Sequence, residues 1–240
     1  MSRLKEPKAV LFDFYATLLD VKTDEDDPRV WDGVAGYVSQ TAGPVDSWAL
    51  RHAYESRLRR QLGTSAEQYP EVQVTDAMRD ALAETCGHLP VPVDPILGVF
   101  RSLSMRRFRV FPDTVSVLEH LRQRYRLGLV CDGQRVFFDD ELDRAGLSTM
   151  FEVVVCSSDH PFHKPDARMF QLALEVLDLA PGDTVYVGDS LDRDIVGCKR
   201  AGMNGILLDR GGNYSGPPDT KFAPDAVIGS LSDLRYLFPQ

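Results

Sequence analysis

At 240 residues, with 43% hydrophobic and 26% charged side chains, the chain is long enough to bury a substantial apolar core without disulfides or structural metals as staples. No apolar run approaches the roughly 20 residues that cross a bilayer, and the polar start Met1 to Lys8 followed by a short apolar stretch is too brief for a secretory leader, so a cytoplasmic protein with no membrane partner is expected. A net charge of −9 with no sustained basic stripe argues against a nucleic-acid partner, and four scattered cysteines (Cys86, Cys131, Cys156, Cys198) without a Cys-x-x-Cys pair suggest neither a zinc knuckle nor a disulfide framework.

The first apolar run, Ala9–Phe14, predicts a strand that carries Asp13 at its end. The stretch 21–105 then contains no convincing core strand. It holds helical patterns near Asp46–Gln61 and Thr75–Glu84, with Trp48, Leu50, Tyr54 and Leu58 spaced to line one helix face, and Pro90, Pro92 and Pro95 marking a loop. Arg101, Arg106, Arg107 and Arg109 form a local basic cluster, read as a solvated helix face with an anionic substrate as the alternative partner. After residue 105 short apolar runs at Leu127–Cys131, Val153–Cys156, Thr184–Val187, Gly205–Leu208 and Ala226–Ile228 alternate with helical patterns at Thr114–Arg124, Val136–Ala145, Ala167–Val176 and Asp192–Ala201. Strands apolar on both faces and separated by helices predict an α/β fold: a Rossmann-like parallel sheet with helices on both faces, made from residues 1–20 and 106–240 and interrupted by a helical cap over 21–105.

In such sheets ligands sit beyond the carboxyl ends of the strands, so the polar residues that follow each apolar run are the first candidates. Four endings stand out: Asp13; Cys131-Asp132-Gly133; His163-Lys164-Pro165; and Gly188-Asp189-Ser190 with Asp192 and Asp194. Together they supply a nucleophile candidate, a fixed cation and a carboxylate cluster suited to a hard divalent ion such as Mg²⁺. Crowded carboxylates need compensation, from a metal or from Lys164, and either keeps Asp13 ionised. A plain structural bridge from Lys164 to Asp189 or Asp194 is the bland alternative. His160 and His163 flank Pro161 in a loop, which favours a turn or substrate contact over metal ligation.

These endings, in this order, resemble the four motifs of the haloacid dehalogenase-like superfamily: Asp13 with Thr17-Leu18, then Cys131-Asp132-Gly133, then Lys164-Pro165, then Gly188-Asp189-Ser190 with Asp194 and Gly197. The resemblance implies a hydrolase in which Asp13 forms a covalent intermediate, Lys164 balances its charge, and Asp13, the backbone carbonyl of Tyr15 and Asp189 hold Mg²⁺ with support from Asp194. Tyr15, Thr17, Cys131 and Asp132 become substrate-side contacts, the inserted helices become a cap that selects a small anionic substrate, and the oligomeric state stays open.

Two positions depart from the phosphatase pattern. Tyr15 replaces the Asp that protonates the leaving alcohol, and a phenol with an ordinary pKa of about 10 is a poor acid near neutrality, a loss worth on the order of 10²–10⁴ in rate. Cys131 replaces a Ser or Thr, and a thiol is the weaker donor; a packing role for it outweighs a catalytic one. The Asp-x-Tyr-x-Thr-Leu form resembles the 2-haloacid dehalogenases, whose halide needs no proton and whose reaction needs no metal, yet Asp189 belongs to the phosphatase form. Three readings follow: Mg²⁺-assisted hydrolysis of a small phosphorylated compound, with substrate, water or a cap residue as acid; halide displacement from a 2-haloacid, with Arg51 or Arg57 clamping its carboxylate; and a silent relative that only binds a ligand.

Overall fold

A computed structural model describes residues 5–87, 92–216 and 220–239. Six strands form one parallel sheet: β1 (Ala9–Phe12), β4 (Arg126–Cys131), β5 (Val153–Cys156), β6 (Thr184–Gly188), β7 (Asn204–Leu208) and β8 (Ala226–Ile228), in the order β5-β4-β1-β6-β7-β8. The central strand β1 has all four residues fully buried, because each of its faces is covered. Val10 and Phe12 point into a cluster with Val117, Leu118 and Leu121 of helix α5 (Thr114–Leu121) and Phe138 of helix α6 (Arg135–Arg144). Ala9 and Leu11 point the other way, toward Met169, Phe170 and Ala173 of α7 (Ala167–Leu177) and Cys198 of α8 (Val196–Arg200). The predicted α/β sheet with helices on both faces is thus observed, and a short helix, α9 (Leu234–Leu237), follows β8.

Between β1 and the rest of this sheet lie β2 (Leu19–Thr23) and β3 (Met105–Val110), an antiparallel ribbon, and among the described residues between those two strands lie four helices: α1 (Pro28–Ala42), α2 (Ser47–Thr64), α3 (Val74–Cys86) and α4 (Val93–Ser104). The helices share their own apolar cluster, with Trp31 against Tyr54 and Phe100, and Met78, Leu82, Ile96 and Leu97 fully buried. Asp27 and Asp46 start α1 and α2 by accepting from the backbone amides of Arg29 and Ala49, each satisfying an otherwise unpaired N–H.

Several local expectations change. The proline-marked loop is in part a helix: Pro92 caps α4 and Pro95 lies in its first turn, where an amide has no intrahelical acceptor to lose. Pro90 lies outside the described residues. Trp48 leaves the buried face of α2; it is 71% exposed and stacks on His52, while Leu50 and Tyr54 point inward. Arg106, Arg107 and Arg109 are on strand β3 instead of a helix, bound to Asp27 and Asp20. No helix among the described residues is long and apolar enough to cross a membrane.

Candidate active site

The loop leaving β1 is built to return on itself. Leu18 and Leu19 both donate their amides to the carbonyl of Phe14, and Ala16, at φ 62°, donates to the carbonyl of Leu19. A left-handed non-glycine residue costs on the order of 1–2 kcal/mol, and the return bonds of this turn hold it in place. The turn brings Thr17 back over Asp13: its hydroxyl donates to Asp13 Oδ2 at 3.1 Å and lies 3.5 Å from Asp189 Oδ1.

Lys164 arrives from the loop before α7 and is 2% exposed. Its Nζ donates to Asp13 Oδ1 at 2.6 Å, to Asp194 Oδ1 at 2.7 Å and to the hydroxyl of Tyr186 at 3.2 Å. Tyr186, in the middle of β6, donates its own hydroxyl to the carbonyl of Val130 at 2.7 Å. Asp194 reaches this point because residues Leu191–Ile195 form a π-helical turn and because Gly188 has no side chain; a Cβ there would stand 2.5 Å from the Asp194 carboxyl. Asp194 also accepts from the amide of Ser190 at 2.9 Å.

One carboxylate oxygen from each of Asp13, Asp189 and Asp194 lies within 4.8 Å of the others, with Asp189 the most open of the three. Burial pushes the Asp13 carboxyl up to about 7, against the pull of Lys164 and with the neighbouring Asp194 and Asp189 adding to the rise. Asp189 is likewise raised by burial and by Asp194. Three carboxylates face one ammonium, an excess of negative charge matched by a divalent cation, and the donors are all oxygen, as Mg²⁺ prefers.

Asp132 fixes the Lys164 backbone, accepting its amide on Oδ1 at 3.0 Å; its Oδ2 is buried without a hydrogen-bond partner, 3.6 Å from Arg193. Cys131 is fully buried beside Cys156, its partner across the β4–β5 register, and burial pushes its thiol up. The phenol of Tyr15 donates to Glu141 Oε2 at 2.7 Å, and burial with the Glu141 charge pushes its pKa far above the ordinary value, so it stays protonated. His160 stacks on Phe162, and His163 meets Tyr69 edge-on. Arg51 is taken up by Glu55 and Asp26, and Arg57 by Glu84.

Sequence reasoning missed Tyr186 and Glu141. Both carried a signal. Tyr186 lies in a run buried on both faces, where a phenol must find a partner. Glu141 shares the apolar face of α6 with Phe137, Phe138 and Leu142 at helical spacing.

A family model for haloacid dehalogenase-like hydrolases matches residues 7–202. The chain belongs to that family. Among the relatives of this hydrolase, phosphoserine phosphatase of Thermus thermophilus is 32% identical over 67% of this chain and 61% of its own length. An (S)-2-haloacid dehalogenase, 4A, of Burkholderia cepacia is 25% identical over 95% of this chain and 93% of its own. A crystal structure of a haloacid dehalogenase-like phosphatase from Thermococcus onnurineus shares 27% identity and a TM-score of 0.62 over 97% of this chain and 98% of that one. The chain spans between 49% and 61% of the length of the first phosphatase relatives it matches. The family thus contains both chemistries that the Asp13 and Tyr15 positions suggested.

Proposed function

We propose that this hydrolase cleaves a small phosphorylated compound with the help of Mg²⁺, through a covalent intermediate on Asp13. The observation that carries the reading is the meeting of Asp13, Asp189 and Asp194 within 4.8 Å around a single Lys164. The residues that would hold the ion are Asp13, Asp189 and the Tyr15 backbone carbonyl, with Asp194 behind them. Bound there, Mg²⁺ supplies positive charge that screens the carboxylates and the substrate phosphate from one another.

Asp13 attacks phosphorus, the phosphorus–oxygen ester bond breaks, and an acyl phosphate forms; water then attacks the same phosphorus and Asp13 departs as its carboxylate. Lys164, held by Asp194 and Tyr186, pulls the nucleophile's pKa down against its burial and aligns it, and Thr17 fixes its second oxygen. Tyr15 is excluded as the proton donor to the leaving alcohol because its proton is committed to Glu141. That proton therefore comes from water, from the substrate or from the four helices α1–α4, which we assign as the cap over residues 21–105. The α2–α3 connection supports that assignment: Glu71 donates its amide to Pro161, and His163 donates its amide to Tyr69, which pins the helical unit beside the Lys164 loop.

Halide displacement from a 2-haloacid is the second reading, favoured by Tyr15 and by the near full-length similarity to the Burkholderia dehalogenase. One panel separates the two: protein with and without Mg²⁺, offered phosphate esters and 2-haloacids, beside Asp13→Asn. Mg²⁺-dependent phosphate release that Asp13→Asn abolishes is expected. Metal-independent halide release overturns it in favour of the second reading, and no turnover with retained ligand binding leaves a silent relative.

A further inference from the structure

The Tyr15 phenol does not end at Glu141. Glu141 is 1% exposed, and its second oxygen accepts from Arg101 Nε at 2.7 Å. Arg101 lies near the end of α4, in the helical unit, whereas Glu141 lies on α6 of the sheet domain. The guanidinium also lies over the Phe137 ring at 5.0 Å and 3.7 Å from Glu25 in the segment that leads into α1. Beside this contact α4 and α6 are not packed flush: a cavity of about 430 Å³ lined by Gly98, Ser102, Val136 and Asp140, among others, borders Arg101. A buried carboxylate without its cation is costly, so Glu141 strongly favours the arrangement in which Arg101 is present.

At the other end of the chain of contacts, the Tyr15 ring is wedged. It meets Phe14 edge-on at 5.0 Å, and a Cβ at Gly133, in the loop after β4, would come within 3.2 Å of it. Tyr15 sits between Asp13 and Thr17 in the tight return of the nucleophile loop.

We propose that Arg101, Glu141 and Tyr15 form a positioning relay, through which the seating of the helical unit on the sheet domain fixes the loop that carries Asp13. Glu141 and Arg101 are positioning residues; neither touches the reacting atoms. The relay rests on Asp13 as the nucleophile, and not on which bond is broken. When the helical unit is seated, Arg101 neutralises Glu141, which holds the phenol and keeps the loop in its strained, left-handed form. When it lifts, Glu141 loses its cation and Tyr15 its anchor, so the nucleophile is set only under a closed cap.

The test uses the full chain labelled with ¹³Cζ-tyrosine, in which the Tyr15 resonance is the one lost in Tyr15→Phe. Folded Arg101→Met is expected to shift or broaden that resonance, although Arg101 does not touch Tyr15. Its kcat on whichever compound the parent hydrolyses falls about tenfold to a hundredfold, with KM within about twofold, and Arg101→Lys recovers most of the loss. Arg101→Gln serves the same comparison where Arg101→Met does not fold. An unmoved Tyr15 resonance with parental kcat overturns the relay. Because the resonance needs no turnover, failure of the phosphatase reading is seen separately, as a parent protein that releases no phosphate.

Discussion

Lys164 Nζ stands 2.6 Å from Asp13 and 2.7 Å from Asp194, so one buried ammonium serves two buried carboxylates. Removing it leaves both without compensation, and breaking a buried ion pair from one side costs roughly 3–5 kcal/mol. Lys164→Met is therefore expected to lower unfolding free energy in urea by that order and to lose turnover, since Asp13 then protonates. A variant of parental stability contradicts the pairing.

Tyr15 and Glu141 set up a trade. Tyr15→Asp supplies a carboxylic acid at the position where phosphatases of this family carry one, but it withdraws the donor from Glu141 Oε2 and empties the space of a ring. An unpaired buried oxygen costs about 1–3 kcal/mol, and the cavity adds to that. The variant is expected to release phosphate faster than Tyr15→Phe, which loses the same contact to Glu141 without gaining an acid, while unfolding at lower urea concentration than the parent. Equal phosphate release by folded Tyr15→Asp and Tyr15→Phe shows that acid catalysis does not limit the reaction.

A second anchor of the nucleophile loop runs through Arg210, which donates to the carbonyl of Thr17 at 3.2 Å and to both oxygens of Asp113. Asp113 also accepts from the Ser230 hydroxyl and the Leu231 amide. Burial raises its pKa, but the Arg210 and Ser230 hydrogen bonds outweigh it and the net direction is downward. A depressed carboxyl binds its proton less readily in the folded chain than in the unfolded one. Its contribution to stability is therefore full above the ordinary carboxylate pKa and is lost as pH falls through the folded value. The stability gap between parent and Asp113→Asn, measured by urea unfolding, is expected to be open at about pH 6 and to narrow toward about pH 3. A gap that stays constant with pH contradicts the direction.

The parallel sheet was legible because strands buried on both faces read as unbroken apolar runs, and its ligand edge because Asp13, Lys164, Asp189 and Asp194 each follow such a run or its helix-leading loop. The β2–β3 ribbon was not. Its residues Leu19–Thr23 and Met105–Val110 mix exposed arginines with Asp20, a pattern that pairing partners explain and periodicity does not. Helix α4 was hidden by prolines whose place in a first turn makes them harmless. Arg51 and Arg57 read as free clamps because sequence does not reveal that Glu55, Asp26 and Glu84 reach them. Tyr15 was legible as an anomaly, and its meaning depended on Glu141, which lies 126 positions away.

Attack by Asp13 on phosphorus, as against carbon, is read from turnover in H₂¹⁸O followed by mass spectrometry of both the released anion and the Asp13 peptide. Water that attacks an acyl phosphate at phosphorus places ¹⁸O in inorganic phosphate and leaves the Asp13 peptide at its original mass, and this is the outcome expected in the presence of Mg²⁺. Water that opens a carbon ester attacks the carboxyl carbon instead. An Asp13 peptide that gains ¹⁸O, with halide released and no labelled phosphate, contradicts it.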